Sequence, residues 1–225
     1  MNLLIVWLTA AMLAWSPPQT SQFGSETQRY AEIARAALDI SFDPAEKPLF
    51  EGPHGRSKTA LQILAIAGFE STYRKDVQMG TKRGKAGDAC LMQIIIVKAR
   101  RLRLSTVYGG TYEWLPAKSD QIPPNGGIPP SDESGYTADD LVGSDMHTCF
   151  RVGLHIARES FQICHDLSMY TNGKCNKEIK AKHREMRAHQ HYKMHPAPVN
   201  DADAAFGGTS VLLNAVGLAP QNAGF

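Results

Sequence analysis

The sequence predicts a mainly α-helical domain, and three observations carry that expectation. Apolar residues recur at helical spacing in separate stretches beginning near Glu26, Ser57 and Asp145. The second of these, Thr59 to Tyr73, is apolar on nearly every side, as a helix buried in the middle of a domain should be. Between the stretches lie segments dense in Pro and Gly, which interrupt regular structure. A chain of 225 residues, 43% apolar and 20% charged, is long enough for one such domain with a real core plus tails. The formal net charge of +2 is too small to imply nucleic acid as a partner.

Taken in order, Leu3 to Trp15 is apolar except for Thr9, and Pro17-Pro18 ends the run. It is too short to span a bilayer but suits the apolar region of an export signal. Neither Lys nor Arg precedes it and no clean small-x-small cleavage site precedes Pro17, so an ordinary buried N-terminal helix is the alternative. Residues 1–25 are therefore assigned to an export segment and linker, 26–195 to the folded domain, and 196–225 to a mobile Ala/Gly-rich tail in which Val211 to Leu213 can dock.

Tyr30, Ile33, Ala34, Ala37 and Leu38 mark an amphipathic helix over 26–41. The Pro- and Gly-containing stretch 43–56 is a loop. Ser57 is placed to cap the buried helix, which runs to about Tyr73. Gly68 inside that helix costs about 1 kcal/mol relative to Ala, so it is either tolerated or admits a close approach. The run closes on a lone carboxylate, Glu70. Burial there disfavours the charged form and keeps a proton available near neutral pH. The competing readings are a solvated last-turn acid or an ion pair with Arg74 or Lys75. A second helix is expected over 91–104, with Lys98, Arg100, Arg101 and Arg103 at its C-terminal end. Residues 105–138 read as one long loop carrying Tyr108, Tyr112, Trp114 and Tyr136. From Asp145, the stripe Phe150, Leu154, Ala157, Phe161, Cys164 marks another helix ending near Leu167. The turn Tyr170-Thr171-Asn172-Gly173 follows. Residues 176–193 form a basic helix whose thin apolar stripe, Ile179 and Met186, predicts weak packing.

Glu70-Ser71, then the aromatic Tyr73, a Gly-rich loop and Leu91-Met92-Gln93-Ile94 together resemble the lytic transglycosylase and lysozyme-like family. That family sets an acid-Ser pair on a buried helix and Gly-Leu-Met-Gln downstream; its glycine is Cys90 in this chain. A Tyr-Asn-Ala-Gly element of the family is matched by Tyr170 and Gly173, with Asn172 one position late. The resemblance covers about residues 57–175. It implies a lysozyme-like helical domain of goose-type or SLT-like architecture and a single-acid reaction on the bond between N-acetylmuramic acid and N-acetylglucosamine. In that reaction Glu70 protonates the leaving oxygen, then deprotonates the muramic C6 hydroxyl to give a 1,6-anhydro product. The resemblance further implies that Ser71 orients Glu70, that Met92 and Gln93 line the cleft, and that Tyr170 contacts the acid or the sugar. No metal or cofactor is called for. The loop aromatics either stack on sugar rings or pack the loop down.

Peptidoglycan strands are then the expected partner, in the periplasm or outside the cell, with a secretion, conjugation or phage apparatus as a further candidate. No nucleic acid and no stable membrane span are expected. A lysozyme-type hydrolase needs a second carboxylate, for which Asp76 and Asp88 are the nearby candidates. A non-catalytic wall-binding or assembly protein on the same fold is a third reading. The four cysteines, at 90, 149, 164 and 175, show no metal-site spacing. An exported chain admits three pairings, of which Cys90–Cys149 with Cys164–Cys175 is preferred because the second bridge clamps the Tyr170 turn to its helix. His191 and His195 share a helix face, but no carboxylate or Cys completes a metal-ligand set with them or with His189.

Overall fold

The computed structural model describes residues 2–18, 23–84, 86–97, 100–116, 135–172, 174–175 and 179–202. Of the sequence-based expectations, those concerning Lys98, the loop from 117 to 134, Gly173, 176–178 and the tail from 203 onward, including Val211 to Leu213, lie outside the described residues. The described chain is mostly helical, with one two-stranded sheet.

Helix α3 (Gly55–Ser71), followed by the short α4 (Lys75–Gln78), is the axle, packed against α1 (Leu3–Trp15), α2 (Phe23–Phe42), α5 (His147–Cys164) and α7 (Ile179–Met194). It is central because its sequence has no polar face: from Ala60 through Gly68 every residue is buried. Helix α2 buries the stripe read from the sequence, Tyr30, Ile33, Ala34, Ala37 and Leu38, against that axle. The apolar segment 3–15 is helix α1, laid into the same core through Leu4, Leu8, Ala11 and Met12. Two polar contacts tie it down: the Trp7 indole N–H donates to the His195 carbonyl at 2.8 Å, and the Tyr30 hydroxyl to that of Ser16 at 2.8 Å.

Ser57 does not cap α3. The helix starts two residues earlier, and the Asp201 carboxylate accepts from the Arg56 and Ser57 amides at 2.6 and 3.2 Å. The Ser57 hydroxyl donates to the same acid at 2.6 Å. A carboxylate at the amino end of a helix answers both the open N–H groups and the dipole, so a far better cap came from across the chain.

The helix expected over 91–104 is absent. Residues Ala89 to Ile94 close a tight turn through reciprocal backbone bonds of 2.9 Å, and Arg100–Leu104 is strand β1, antiparallel to β2 (Tyr112–Pro116). The reason is period. Leu102 and Leu104 are buried while Arg101 and Arg103 point outward, an alternation of two, and the β-branched run Ile94 to Val97 before it disfavours helix. Part of the supposed long loop is thus sheet, and Tyr136 extends the hairpin by exchanging backbone bonds with Leu102.

Both preferred disulfides are present, Cys90–Cys149 and Cys164–Cys175. The first ties the Ala89–Ile94 turn to α5; the second closes the segment that holds the short helix α6 (Ser168–Asn172). Each such bridge contributes about 2–4 kcal/mol. Among the described residues no helix is long and apolar enough to cross a membrane.

The basic helix α7 also departs from expectation. It is not loosely attached: Arg184 is buried against α3 and His191 against Trp7 and Trp15 of α1, with Ala188 buried between them, while Met186 is exposed. An apolar stripe was the wrong thing to look for, since an arginine occupies the buried face.

Candidate functional site

The carboxyl end of α3 is shaped by a reversal. Thr72 and Tyr73 both adopt left-handed backbone, φ 49° and 54°, which turns the chain back on itself. The Tyr73 ring folds beneath the helix and its hydroxyl donates to the Leu64 carbonyl at 2.9 Å. Gly68 is what lets it in, because a Cβ there would sit 2.5 Å from the Tyr73 hydroxyl oxygen. The close approach left open at Gly68 is therefore made by this chain's own tyrosine.

Glu70 sits just before that reversal with its side chain one-fifth exposed. Neither Arg74 nor Lys75 pairs with it; Arg74 binds Asp76 instead. The partner is Arg184 of α7, whose Nε donates to Glu70 Oε1 at 2.9 Å and whose terminal nitrogen donates to the same oxygen. The Arg184 side chain is only 5% exposed, and its guanidinium lies 4.2 Å from the centre of the Phe69 ring. Gln62 of α3 secures the turn of α7 that carries it, donating to the Arg184 carbonyl at 3.2 Å. An ion pair of this kind favours the carboxylate, against the proton-retaining effect of burial expected from the sequence.

Tyr170 is anchored to the Leu91–Gln93 turn. Its hydroxyl donates to the Met92 carbonyl at 2.8 Å. Burial, then the negative charge of Glu70, push the Tyr170 phenol well above its ordinary value, with Arg184 opposing. Its backbone N–H donates to the Ser160 hydroxyl at 3.2 Å, which in turn donates to the Asp166 carbonyl at 2.7 Å, so α5 positions the tyrosine.

The remaining expected site residues fall unevenly. Met92 does not line a cleft with its side chain, which is fully buried and fills the space left by Gly153 on α5; only its carbonyl reaches Tyr170. Ser71 is buried and spends its hydroxyl on the Ala67 carbonyl at 2.7 Å, one turn back, so it does not orient Glu70 through that group. Gln93 is half-buried with φ 50°, and its amide nitrogen donates to the Cys90 carbonyl at 3.0 Å. Cys90, standing where the resemblance has glycine, also takes left-handed backbone, φ 58°. That conformation is what glycine supplies freely, and here the bridge to Cys149 anchors it. Asp76 is half-buried, and its hydrogen bond with Arg74 holds it below its ordinary value. Asp88 lies against Gly84 in the preceding loop.

Three cavities lined by described residues lie elsewhere: between α1 and α7 at Trp7, Trp15 and Phe69; between α3, α5 and α7 at Leu61, Phe161 and Tyr192; and beside the β1–β2 turn. Among the described residues no cluster of His, Cys, Asp or Glu could hold a metal ion. Of the loop aromatics, Tyr136 is buried and Tyr108 and Trp114 are exposed.

Two features escaped the sequence reading. Arg184 was one cation in a basic run; the signal was Ala188 four residues on and His191 three beyond, which mark its face as the buried one. The other is a polar knot around Glu46 from the Pro-rich loop, bonded to His155 at 3.0 Å and Arg158 at 2.9 Å on α5.

Comparison with protein-family models, with curated proteins and with solved structures found no match to this chain.

Proposed function

We propose that the protein is a peptidoglycan lytic transglycosylase of lysozyme-like fold, with Glu70 as its single catalytic acid and base. The observation that carries the reading is the Tyr170 hydroxyl bonded to the Met92 carbonyl, on a phenol that also feels the charge of Glu70, which supports placing the three sequence words behind the resemblance near one another. Left-handed backbone at Cys90, where the family sequence has glycine, supports it further. In the reaction, protonated Glu70 gives its proton to the glycosidic oxygen as the bond from the muramic C1 breaks. The Glu70 carboxylate then takes the proton of the C6 hydroxyl as that oxygen bonds to C1, returning the acid to its starting form. Gln93 belongs to the turn that Tyr170 anchors. The pairing of Asp76 with Arg74 favours this one-carboxylate route over a hydrolase with two. Two disulfides suit an oxidising compartment, so the reading puts the protein in the periplasm or outside the cell.

The test is mass spectrometry of muropeptides released from purified sacculi. The parent should yield anhydro ends, and Glu70→Gln should lower the rate by about 100-fold or more, the usual weight of a positioned proton donor. Reducing ends would move the assignment to a hydrolase. The Arg184 contact, which favours a charged Glu70, is the observation behind a non-catalytic wall-binding role. Sacculi that bind the protein but stay intact would establish that role instead.

A further inference from the structure

Among the described residues, Arg184 makes a direct charged contact with Glu70. Helix α7 brings Arg184 onto Oε1 and holds Arg187 5.9 Å from the centre of the neighbouring Phe69 ring. The neutral Tyr170 phenol on helix α6 feels the Glu70 charge. Helix α2 spends Arg29 on Glu26, Gln78 and the Tyr73 carbonyl, and α5 spends Arg151, His155 and Arg158 on Asp43 and Glu46. Helix α1 carries no titratable side chain. The Arg184 Nη1 atom, buried, has no hydrogen-bond partner among the described residues. A guanidinium with two donors on an acid and another buried without an acceptor is incompletely satisfied, and a ligand oxygen would complete it.

We propose that Arg184 is a positioning residue that acts as a latch on Glu70, holding it as a carboxylate in the free protein and releasing it when the incoming glycan offers Nη1 an oxygen. This deepens the transglycosylase reading and rests on it. A clamped carboxylate cannot donate a proton, so before the first half of the reaction the contact must loosen and Glu70 must take a proton from water. The second half, in which Glu70 is the base, is helped by its return. The latch is built from a helix distant in sequence, its arginine lying 114 residues from the acid.

The experiment is an NMR titration of the Glu70 side-chain carboxyl carbon in the full chain, its signal assigned by loss in Glu70→Gln, in the parent, Arg184→Gln and Arg184→Lys. The parent midpoint should lie below the ordinary glutamate value of about 4.3. It should rise by about 1 pH unit or more in Arg184→Gln, and less in Arg184→Lys, which keeps the charge but not the fork. A parent midpoint at or above the ordinary value overturns the proposal, even if Arg184→Gln does not fold; so does an unchanged midpoint in a folded Arg184→Gln. On sacculi, the basic limb of kcat/KM against pH should move up by the same interval in Arg184→Gln, whatever its height. A structural role alone would lower the whole profile without moving that limb. Intact sacculi at every pH with the parent would remove the catalytic reading, and the carboxyl titration would still report whether Arg184 controls the charge.

Discussion

Glu46 and Glu70 are both acids set against a buried arginine, yet their surroundings differ in a way that separates structure from chemistry. Glu46 has cations on both oxygens: His155 on Oε1 at 3.0 Å and Arg158 on Oε2 at 2.9 Å. The same groups reach onward, His155 to the Thr111 carbonyl at 2.7 Å and Arg158 to the Gly110 and Lys47 carbonyls at 2.6 and 2.7 Å. The knot therefore staples the 43–47 loop and the β1–β2 turn to α5. Burial pushes the Glu46 carboxyl up, but the hydrogen bonds and charges of His155 and Arg158 together outweigh it and hold it below its ordinary value. Glu70, by contrast, takes both Arg184 donors on one oxygen and remains one-fifth exposed, and the Tyr170 phenol feels its charge. An acid woven into three segments is committed to holding the fold; a carboxylate that still reaches solvent is available for work.

The strongest way to break that contrast is Arg158→Met, which leaves the buried Glu46 Oε2 and the Lys47 and Gly110 carbonyls without their arginine. A loss of about 3–5 kcal/mol is expected in denaturant unfolding, as when one half of a buried pair is removed. A loss no larger than that of Arg184→Gln would erase the distinction between the two sites. Next is Gly68→Ala, which drives a methyl group into the Tyr73 phenol and should cost about 1–3 kcal/mol by overpacking. Gly68→Ala with Tyr73→Phe, which removes the hydroxyl from the clash, should recover part of that loss.

Smaller again is Tyr170→Phe. Losing its bond to the Met92 carbonyl should cost about 1 kcal/mol while leaving the Glu46 knot intact. Any change in activity beyond that would sharpen the assignment of Tyr170 to the Glu70 locus. Acid offers a further check without mutation. Because the folded Glu46 carboxyl titrates below its unfolded value, its contribution is present above that unfolded value and is lost as pH falls through the folded one. Unfolding free energies measured from pH 6 downward should fall less steeply in Glu46→Gln than in the parent.

How much of this was legible depended on distance along the chain. Helices α2, α3 and α5 announce themselves because each buries a face whose spacing is written locally, and the pairing of four cysteines was narrowed by a short loop. The run after Cys90 was misread because a stretch of apolar residues has no clear period until the alternation at Leu102 and Leu104, and its cations look like a helix end. The Glu70 acid was visible as the one charge closing an apolar helix. Its arginine was not, since nothing near residue 184 distinguishes that cation from its neighbours except the small residue one turn on.

The sequence by itself determined that a nearly wholly apolar helix must sit at the centre and that it ends on an acid, because burial follows from composition and period alone. Only the tertiary structure decided what that helix meets: Asp201 at its amino end and Arg184 at its acid, partners 144 and 114 residues away. Charge pairing across such distances depends on which faces finally pack together, and no local pattern encodes that choice.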